Sequence, residues 1–120
     1  MKTIHTAKAP EAIGPYSQAI VHGGLLFTSG QIAINPASGQ VEADTIEGQT
    51  EQVMKNLAAL LEEAGASFDS VIKTTCFLSD MADFAAFNAI YGAYFVSKPA
   101  RSCVAAKQLP KNVLVEVELI

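Results

Sequence analysis

The sequence predicts an α+β domain in which two helices lie on one face of a mixed sheet. The predicted order is three strands, a helix, a strand, a helix and two strands. Strands that come first and then alternate with helices are typical of this class. We expect a single domain over residues 1–120, because 50% hydrophobic residues in a chain of this length fill one core.

Short apolar runs predict three strands in the N-terminal part of the chain. They lie around Ile4, over residues 19–21 and over residues 25–27. A His-Gly-Gly segment separates the last two runs and predicts a turn between them. The Asn-Pro-Ala-Ser-Gly segment at 35–39 predicts a further loop or turn.

Helical periodicity begins at Ile46 and continues to Ala64, with apolar residues on one stripe. Asp44 is the expected N-cap, and Gly65 is expected just beyond the C-terminal end. Residues 71–78 predict a strand, because β-branched and aromatic residues dominate this short run. A second helix follows, capped by Asp80 or Asp83. Its aromatic stripe is expected to pack on the sheet and consists of Phe84, Phe87, Tyr91, Tyr94 and Phe95.

Two closing strands are predicted over residues 101–108 and 113–119, joined by a tight turn at 109–112. Alternation in the last strand leaves Glu116 and Glu118 together on one face. If the two strands form a hairpin closed by a two-residue turn, one face also carries Arg101 and Cys103. A three-residue turn would shift this register by one position.

A guanidinium, a thiol and two carboxylates on one face could bind a ligand or support catalysis. Arginine offers a planar fork to a carboxylate, glutamate orients or deprotonates a water, and cysteine is a weak donor. The alternative is a solvated outer face with an ordinary cross-strand pair between Arg101 and a glutamate. The pattern alone leaves both interpretations open.

Composition argues against several classes of function. The net charge of -4 is unfavourable for nucleic-acid binding over a wide surface. Cys76 and Cys103 form no CxxC pair, so we expect free thiols in a reducing compartment, with neither a metal site nor a disulfide framework. His5 and His22 are isolated, and no phosphate-binding glycine motif occurs.

No apolar run is long enough for a signal peptide or a membrane span, so the prediction is a cytoplasmic protein. A mean hydropathy of +0.27 is high for a soluble chain and favours oligomerisation. The polar, glycine-containing segments at 14–18 and 29–31 are by themselves typical of turns that end strands.

Several motifs, in order, resemble the reactive intermediate deaminase family, the RidA or YjgF group, also known as liver perchloric-acid-soluble endoribonuclease. The resemblance spans nearly the whole chain. It rests on Ala-Ile-Gly-Pro-Tyr-Ser-Gln-Ala at 12–19, Thr-Ser-Gly-Gln-Ile at 28–32, Asn-Leu at 56–57, Val-Ile-Lys-Thr-Thr at 71–75, Asp-Phe at 83–84 with Asn88 and Tyr91, Pro-Ala-Arg-Ser-Cys-Val at 99–104, Leu-Pro at 109–110 and Glu-Val-Glu at 116–118.

The resemblance implies a chorismate-mutase-like (YjgF) fold with a six-stranded sheet. It also implies a homotrimer around a central barrel, with ligand sites between subunits. The implied activity is hydrolysis of 2-imino acids, such as 2-iminobutanoate and 2-iminopropanoate, to 2-oxo acids and ammonia, with no cofactor. We therefore expect 2-imino or 2-oxo acids as ligands and further copies of the chain as partners. The net charge and the lack of a long apolar run separately argue against nucleic acid and membrane as partners.

The same resemblance implies a role for individual residues. Arg101 matches the arginine that binds the substrate carboxylate, Glu116 the acid that positions water, and Cys103 a position near the imine nitrogen. The implied cleft is lined by Tyr16, Ser29, Gly30 and Asn88. This sequence departs from the family pattern in the short stretch from Tyr91 to Pro99, where Lys98 precedes the Pro-Ala-Arg motif. Two other functions stay open: a non-catalytic 2-oxo acid sensor and, with less support, an endoribonuclease.

Overall fold

The computed structural model describes all residues, 1–120, and has two helices and eight strands. The strands are β1 (Lys2–Ile4), β2 (Ala19–His22), β3 (Leu25–Thr28), β4 (Ile34–Asn35), β5 (Gln40–Val41), β6 (Lys73–Leu78), β7 (Ala100–Ala105) and β8 (Val115–Leu119). The helices are α1 (Ile46–Glu63) and α2 (Phe84–Tyr94). The α+β class is confirmed, and among the strands and α-helices only the small β4–β5 hairpin around the turn at 36–39 was not predicted.

Six of the strands form two three-stranded sheets that meet edge to edge. Their orders are β1-β2-β3 and β7-β6-β8. The bridge between Gln31 and Val117 joins them next to β3 and β8, and the Leu119 amide donates to the Thr28 hydroxyl at 3.0 Å. The implied six-stranded sheet is therefore present as two three-stranded sheets, which are joined by this bridge and the Leu119–Thr28 hydrogen bond.

The predicted hairpin of the last two strands is wrong. β6 lies between them, parallel to β7 and antiparallel to β8. The segment from Pro110 to Asn112 does turn, but Lys111 and Asn112 both have positive φ, and the chain crosses to the far side of β6. Pairing therefore runs through β6, and no residue of β7 lies directly opposite one of β8.

Both helices cover the same face of the β7-β6-β8 sheet. α1 contributes Val53, Met54 and Leu57 to the main core, and α2 contributes its aromatic stripe. Within that stripe Phe87, Tyr91 and Phe95 are buried, and Tyr91 stacks on Phe95 with a centroid distance of 4.4 Å. The expected packing of the stripe on the sheet is confirmed.

The helix ends show one correction. Thr45, and not Asp44, is the N-cap of α1, because its hydroxyl accepts a hydrogen bond from the Gly48 amide at 3.1 Å. Gly65 follows the C-terminal end with φ +75°, a conformation that costs glycine least. Asp80 caps the turn before α2 by accepting from the Ala82 amide at 2.8 Å. Neither helix is long and apolar enough to cross a membrane.

Candidate functional site

The expected site residues fall into two groups on opposite faces of the β7-β6-β8 sheet. Arg101 pairs with Thr74 of β6, and Cys103 pairs with Cys76, on the face that the helices cover. Glu116 pairs with Phe77 on the other face. Residues paired across a ladder share a face, so the expectation that Arg101, Cys103, Glu116 and Glu118 point the same way is wrong.

We define the arginine cluster as Arg101 with Phe84, Asn88, Tyr91 and Thr74. The guanidinium donates a 2.7 Å hydrogen bond from Nη1 to Asn88 Oδ1. Its central carbon lies 4.8 Å from the centroid of the Tyr91 ring and 5.4 Å from that of Phe84. Both distances are within the range of a cation–π interaction.

The Tyr91 ring is itself fixed in place. Tyr91 is only 7% exposed, and its hydroxyl shares a 2.7 Å hydrogen bond with Thr74 Oγ1 on β6.

Arg101 has no acidic partner within the chain. The chain's two ion pairs, His5–Glu11 and Lys8–Glu62, do not involve it. The arginine cluster therefore holds an oriented guanidinium that is free to bind an anionic ligand.

Arg101 opens onto a cleft of about 450 Å³ at the C-terminal end of α2. Cys103 lies two residues further along β7, and burial raises the pKa of its thiol, with Arg101 opposing that shift. Burial likewise raises the pKa of the neighbouring Cys76 thiol to about 12. Both thiols are therefore protonated at neutral pH, which argues against a cysteine nucleophile.

The Cys103 backbone has free hydrogen-bonding groups. The Ala100 amide donates to Ile72 and the Ala106 amide donates to Leu78, so even-numbered residues of β7 bond to β6. In a parallel ladder the intervening residues direct their backbone groups to the other side. β7 has no neighbour there, so the Cys103 amide and carbonyl face an open strand edge.

We define the glutamate cluster as Glu116 with Tyr16, Gln18, Ser29 and Gly30. Glu116, Tyr16, Ser29 and Gly30 line one open cleft of about 330 Å³. Burial is the main cause that raises the pKa of the Glu116 carboxyl, and the nearby Glu118 carboxylate raises it further. Neither ion pair of the chain involves Glu116.

Gly30 and Glu116 approach each other very closely. A Cβ atom on Gly30 would lie 2.8 Å from Glu116 Cδ and nearer still to Oε2. Only glycine leaves room for the carboxylate at this point of the chain. Next to it, the Ser29 hydroxyl donates to the Ser17 carbonyl at 2.6 Å, which ties the segment after β3 to the loop before β2.

Gln18 holds that loop and was not predicted as a site residue. The residue is 3% exposed. Its Nε2 donates to the carbonyls of Thr6, Ala9 and Pro10, and its Oε1 accepts from the Thr6 amide at 2.8 Å. These bonds bring the loop that carries Tyr16 against Glu116. A polar residue just before an apolar strand was the available signal, but it is equally typical of a turn.

Comparison with known proteins identifies a family that matches nearly the whole chain. The family model described as Endoribonuclease L-PSP matches residues 6–120. A Lactococcus lactis protein named as a candidate regulator, AldR, is 57% identical over 100% of this chain and 96% of its own. The 2-iminobutanoate/2-iminopropanoate deaminase of Escherichia coli K12 is 46% identical over 99% of this chain and 95% of its own.

Solved structures support the same family assignment. A candidate endoribonuclease from Thermotoga maritima superposes with a TM-score of 0.96 at 48% identity, covering 99% of this chain and 94% of its own. The Escherichia coli protein TdcF with bound serine superposes with a TM-score of 0.94 at 41% identity, covering 99% and 96%. The chain therefore belongs to the endoribonuclease L-PSP family, the RidA/YjgF group that its motifs resemble.

Proposed function

We propose that this chain hydrolyses 2-imino acids to 2-oxo acids and ammonia, at a site assembled from the arginine cluster of one copy and the glutamate cluster of another. The observation that carries the proposal is Arg101, an oriented guanidinium without an acidic partner beside an open cleft. A relative of 46% identity that is named a 2-iminobutanoate/2-iminopropanoate deaminase supports the choice of reaction.

The sheet geometry explains why a second copy is needed. Arg101 and Glu116 lie on opposite faces of one sheet, so they cannot contact the same small substrate within one chain. The face that carries Glu116 also leaves Phe27 and Val104 exposed. Large apolar side chains exposed on a small chain are suited to burial against copies of itself, and we propose a closed homotrimer.

In the proposed reaction, Arg101 binds the substrate carboxylate through two parallel hydrogen bonds and fixes the C=N carbon. A water held by Glu116 adds its oxygen to that carbon, while Glu116 accepts one of its protons. Glu116 then passes that proton to the nitrogen, and the hydroxyl proton of the tetrahedral adduct follows by the same route. The adduct collapses to C=O as the C–N bond breaks, and the nitrogen leaves as ammonia, having received both protons of the water. A raised pKa makes Glu116 a better proton acceptor than an ordinary surface carboxylate.

Cys103 acts in this proposal through its free backbone groups, which face the strand edge and contact the imine nitrogen. Tyr16, Ser29, Gly30 and Asn88 shape the cleft. None of these steps requires a cofactor, because the substrate supplies its own electrophile.

A subunit complementation experiment tests the proposal. The imine is generated from threonine by a threonine dehydratase, and formation of 2-oxobutanoate is followed with and without the protein. Arg101→Ala should lose binding and rate together, and Glu116→Ala should lose turnover while retaining 2-oxobutanoate binding. Homotrimers of either variant are then inactive. Randomly mixed trimers recover about a quarter of the wild-type sites, because each site needs both residues from different copies.

The controls separate assembly from chemistry. Each variant is unfolded and refolded alone, and the mass of every sample is measured by light scattering. No recovery in mixed trimers of the correct mass would contradict the shared site, and full activity in both single variants would contradict the reaction itself.

A sensor of 2-oxo acids is the second candidate function, favoured by the candidate regulator that is 57% identical to this chain. The same arginine cluster would bind the 2-oxo acid carboxylate without turnover. Binding of 2-oxobutanoate to pure protein by calorimetry, combined with no acceleration of imine hydrolysis, would favour this function.

A further inference from the structure

The cleft beside Arg101 contains a second cation that a simple 2-imino acid does not use. Eight residues line it, and only Arg101 and Lys98 among them are charged. Neither participates in an ion pair within the chain. Within one copy the cleft therefore presents two positive charges and no negative one, whereas 2-iminobutanoate carries a single carboxylate.

The backbone at Lys98 is also unusual. Its φ of 55° lies in the left-handed region, which is costly for a residue with a Cβ atom. The following residue is Pro99, which disfavours helical conformations at the position before it. The Lys98 amide closes a turn by donating to the Phe95 carbonyl at 3.1 Å.

Glycine would form that turn at lower cost, so the turn itself does not require the lysine side chain. Strained backbone of this kind clusters at active sites and ligand-binding sites, and Lys98, unlike Lys111 and Asn112, lines this cleft. Lys98 also lies close to the arginine, since three residue steps separate their Cα atoms by at most about 11 Å.

We propose that the cleft binds 2-imino dicarboxylic acids, with Arg101 on the carboxylate next to the imine and Lys98 on the side-chain carboxylate. This inference rests on the proposed function and names its substrate class. The reaction consumes one water and yields a 2-oxo dicarboxylic acid and ammonia. A two-electron oxidation of the corresponding amino acid supplies such an imine, because it removes two hydrogens across the C–N bond.

The test compares two imines, both made in place by flavin amino acid oxidases. One is 2-iminobutanoate from 2-aminobutanoate, and the other is 2-iminoglutarate from glutamate. The imine that remains is trapped with semicarbazide, and the readout is the ratio of kcat/KM for the dicarboxylate over that for the monocarboxylate. Lys98→Gly removes the ammonium group and relieves the left-handed backbone, so the variant is expected to fold.

We expect Lys98→Gly to lower the ratio about fivefold, the effect of one exposed charge pair, and Lys98→Arg to retain it. The ratio in the wild type should also fall as salt is added. Lys111→Gly is the matched control, because Lys111 has φ 54° but does not line this cleft, and its ratio should equal that of the wild type.

The outcomes separate the two proposals. Hydrolysis of 2-iminobutanoate with a ratio that Lys98→Gly leaves unchanged overturns the role of Lys98 and retains the proposed reaction. If neither imine is hydrolysed, the proposed reaction is wrong, and binding still tests Lys98. Calorimetry should then show tighter binding of 2-oxoglutarate than of 2-oxobutanoate by the wild type, with the difference lost in Lys98→Gly. Equal binding of the two acids by the wild type would overturn the inference.

Discussion

The arginine cluster and the glutamate cluster hold their charged groups by different means. Arg101 is fixed by side chains of regular elements: Asn88 and two aromatic rings of the α2 region, one of them bonded to β6. Glu116 is placed by its own strand and by the close approach of Gly30. Its surroundings depend on a loop held by Gln18.

This difference has a consequence for robustness. A guanidinium between rings and an amide keeps its position if one contact is lost. The Glu116 carboxylate lies directly against Gly30, so any side-chain atom added at Gly30 displaces it. We therefore expect the glutamate cluster to be the more fragile half of the candidate site.

Gly30→Ala should damage the glutamate cluster strongly. The new methyl group would overlap the Glu116 carboxylate and move it by a substantial part of an ångström. A displacement of this size should lower kcat/KM for the proposed imine hydrolysis about 100-fold. Adding Glu116→Asp, which shortens the side chain by one methylene, should restore part of the loss. Wild-type activity in Gly30→Ala would show that the carboxylate position is not critical.

A second pair of variants compares how much the contacts of each cluster contribute to the free energy of unfolding. Gln18→Ala leaves buried backbone groups of the loop without partners and lowers the free energy of unfolding by about 2–3 kcal/mol. Tyr91→Phe removes one hydrogen bond, retains the ring under Arg101 and costs only about 1 kcal/mol.

Chemical denaturation measures both changes, and hydrogen exchange should show faster exchange in residues 6–17 of the Gln18 variant alone. Gln108→Ala is the matched control, because the Gln108 side chain makes a single exposed hydrogen bond to Asn112. Equal losses in the Gln18 and Tyr91 variants would remove the distinction between the clusters.

The smallest effect concerns pH. Burial raises the pKa of Glu116, so folding favours the protonated carboxyl, and ionisation above the ordinary carboxyl range costs stability. Glu116→Gln should therefore raise the melting temperature at neutral pH. The gain should shrink as the pH falls through the raised pKa and disappear below about 4, where the wild-type carboxyl is protonated in both the folded and the unfolded state. A lower melting temperature at neutral pH would show that the charge has a stabilising partner.

Local patterns predicted most of the elements correctly. Alternation and turn residues located β1 to β3, and helical periodicity located α1 and α2, because these features depend on neighbours in the chain. The β4–β5 hairpin was missed because its strands have only two residues each. A two-residue strand is too short to show a period.

The pairing of the closing strands could not be predicted in this way. Alternation correctly placed Glu116 and Glu118 on one face of β8, and Arg101 and Cys103 on one face of β7. Whether those two faces coincide depends on which strand lies between them. That choice is made by contacts far apart in sequence, such as Thr74 with both Arg101 and Leu119.

The class of fold, the family and the identity of the charged residues follow from the sequence, because each of these is encoded in local spacing and in motifs. The folded chain was needed to show that Arg101 and Glu116 face opposite sides of one sheet, and that Gln18 and Gly30 set the surroundings of the carboxylate. A strand's period specifies which residues share its face, whereas the orientation of that face depends on packing against the rest of the chain.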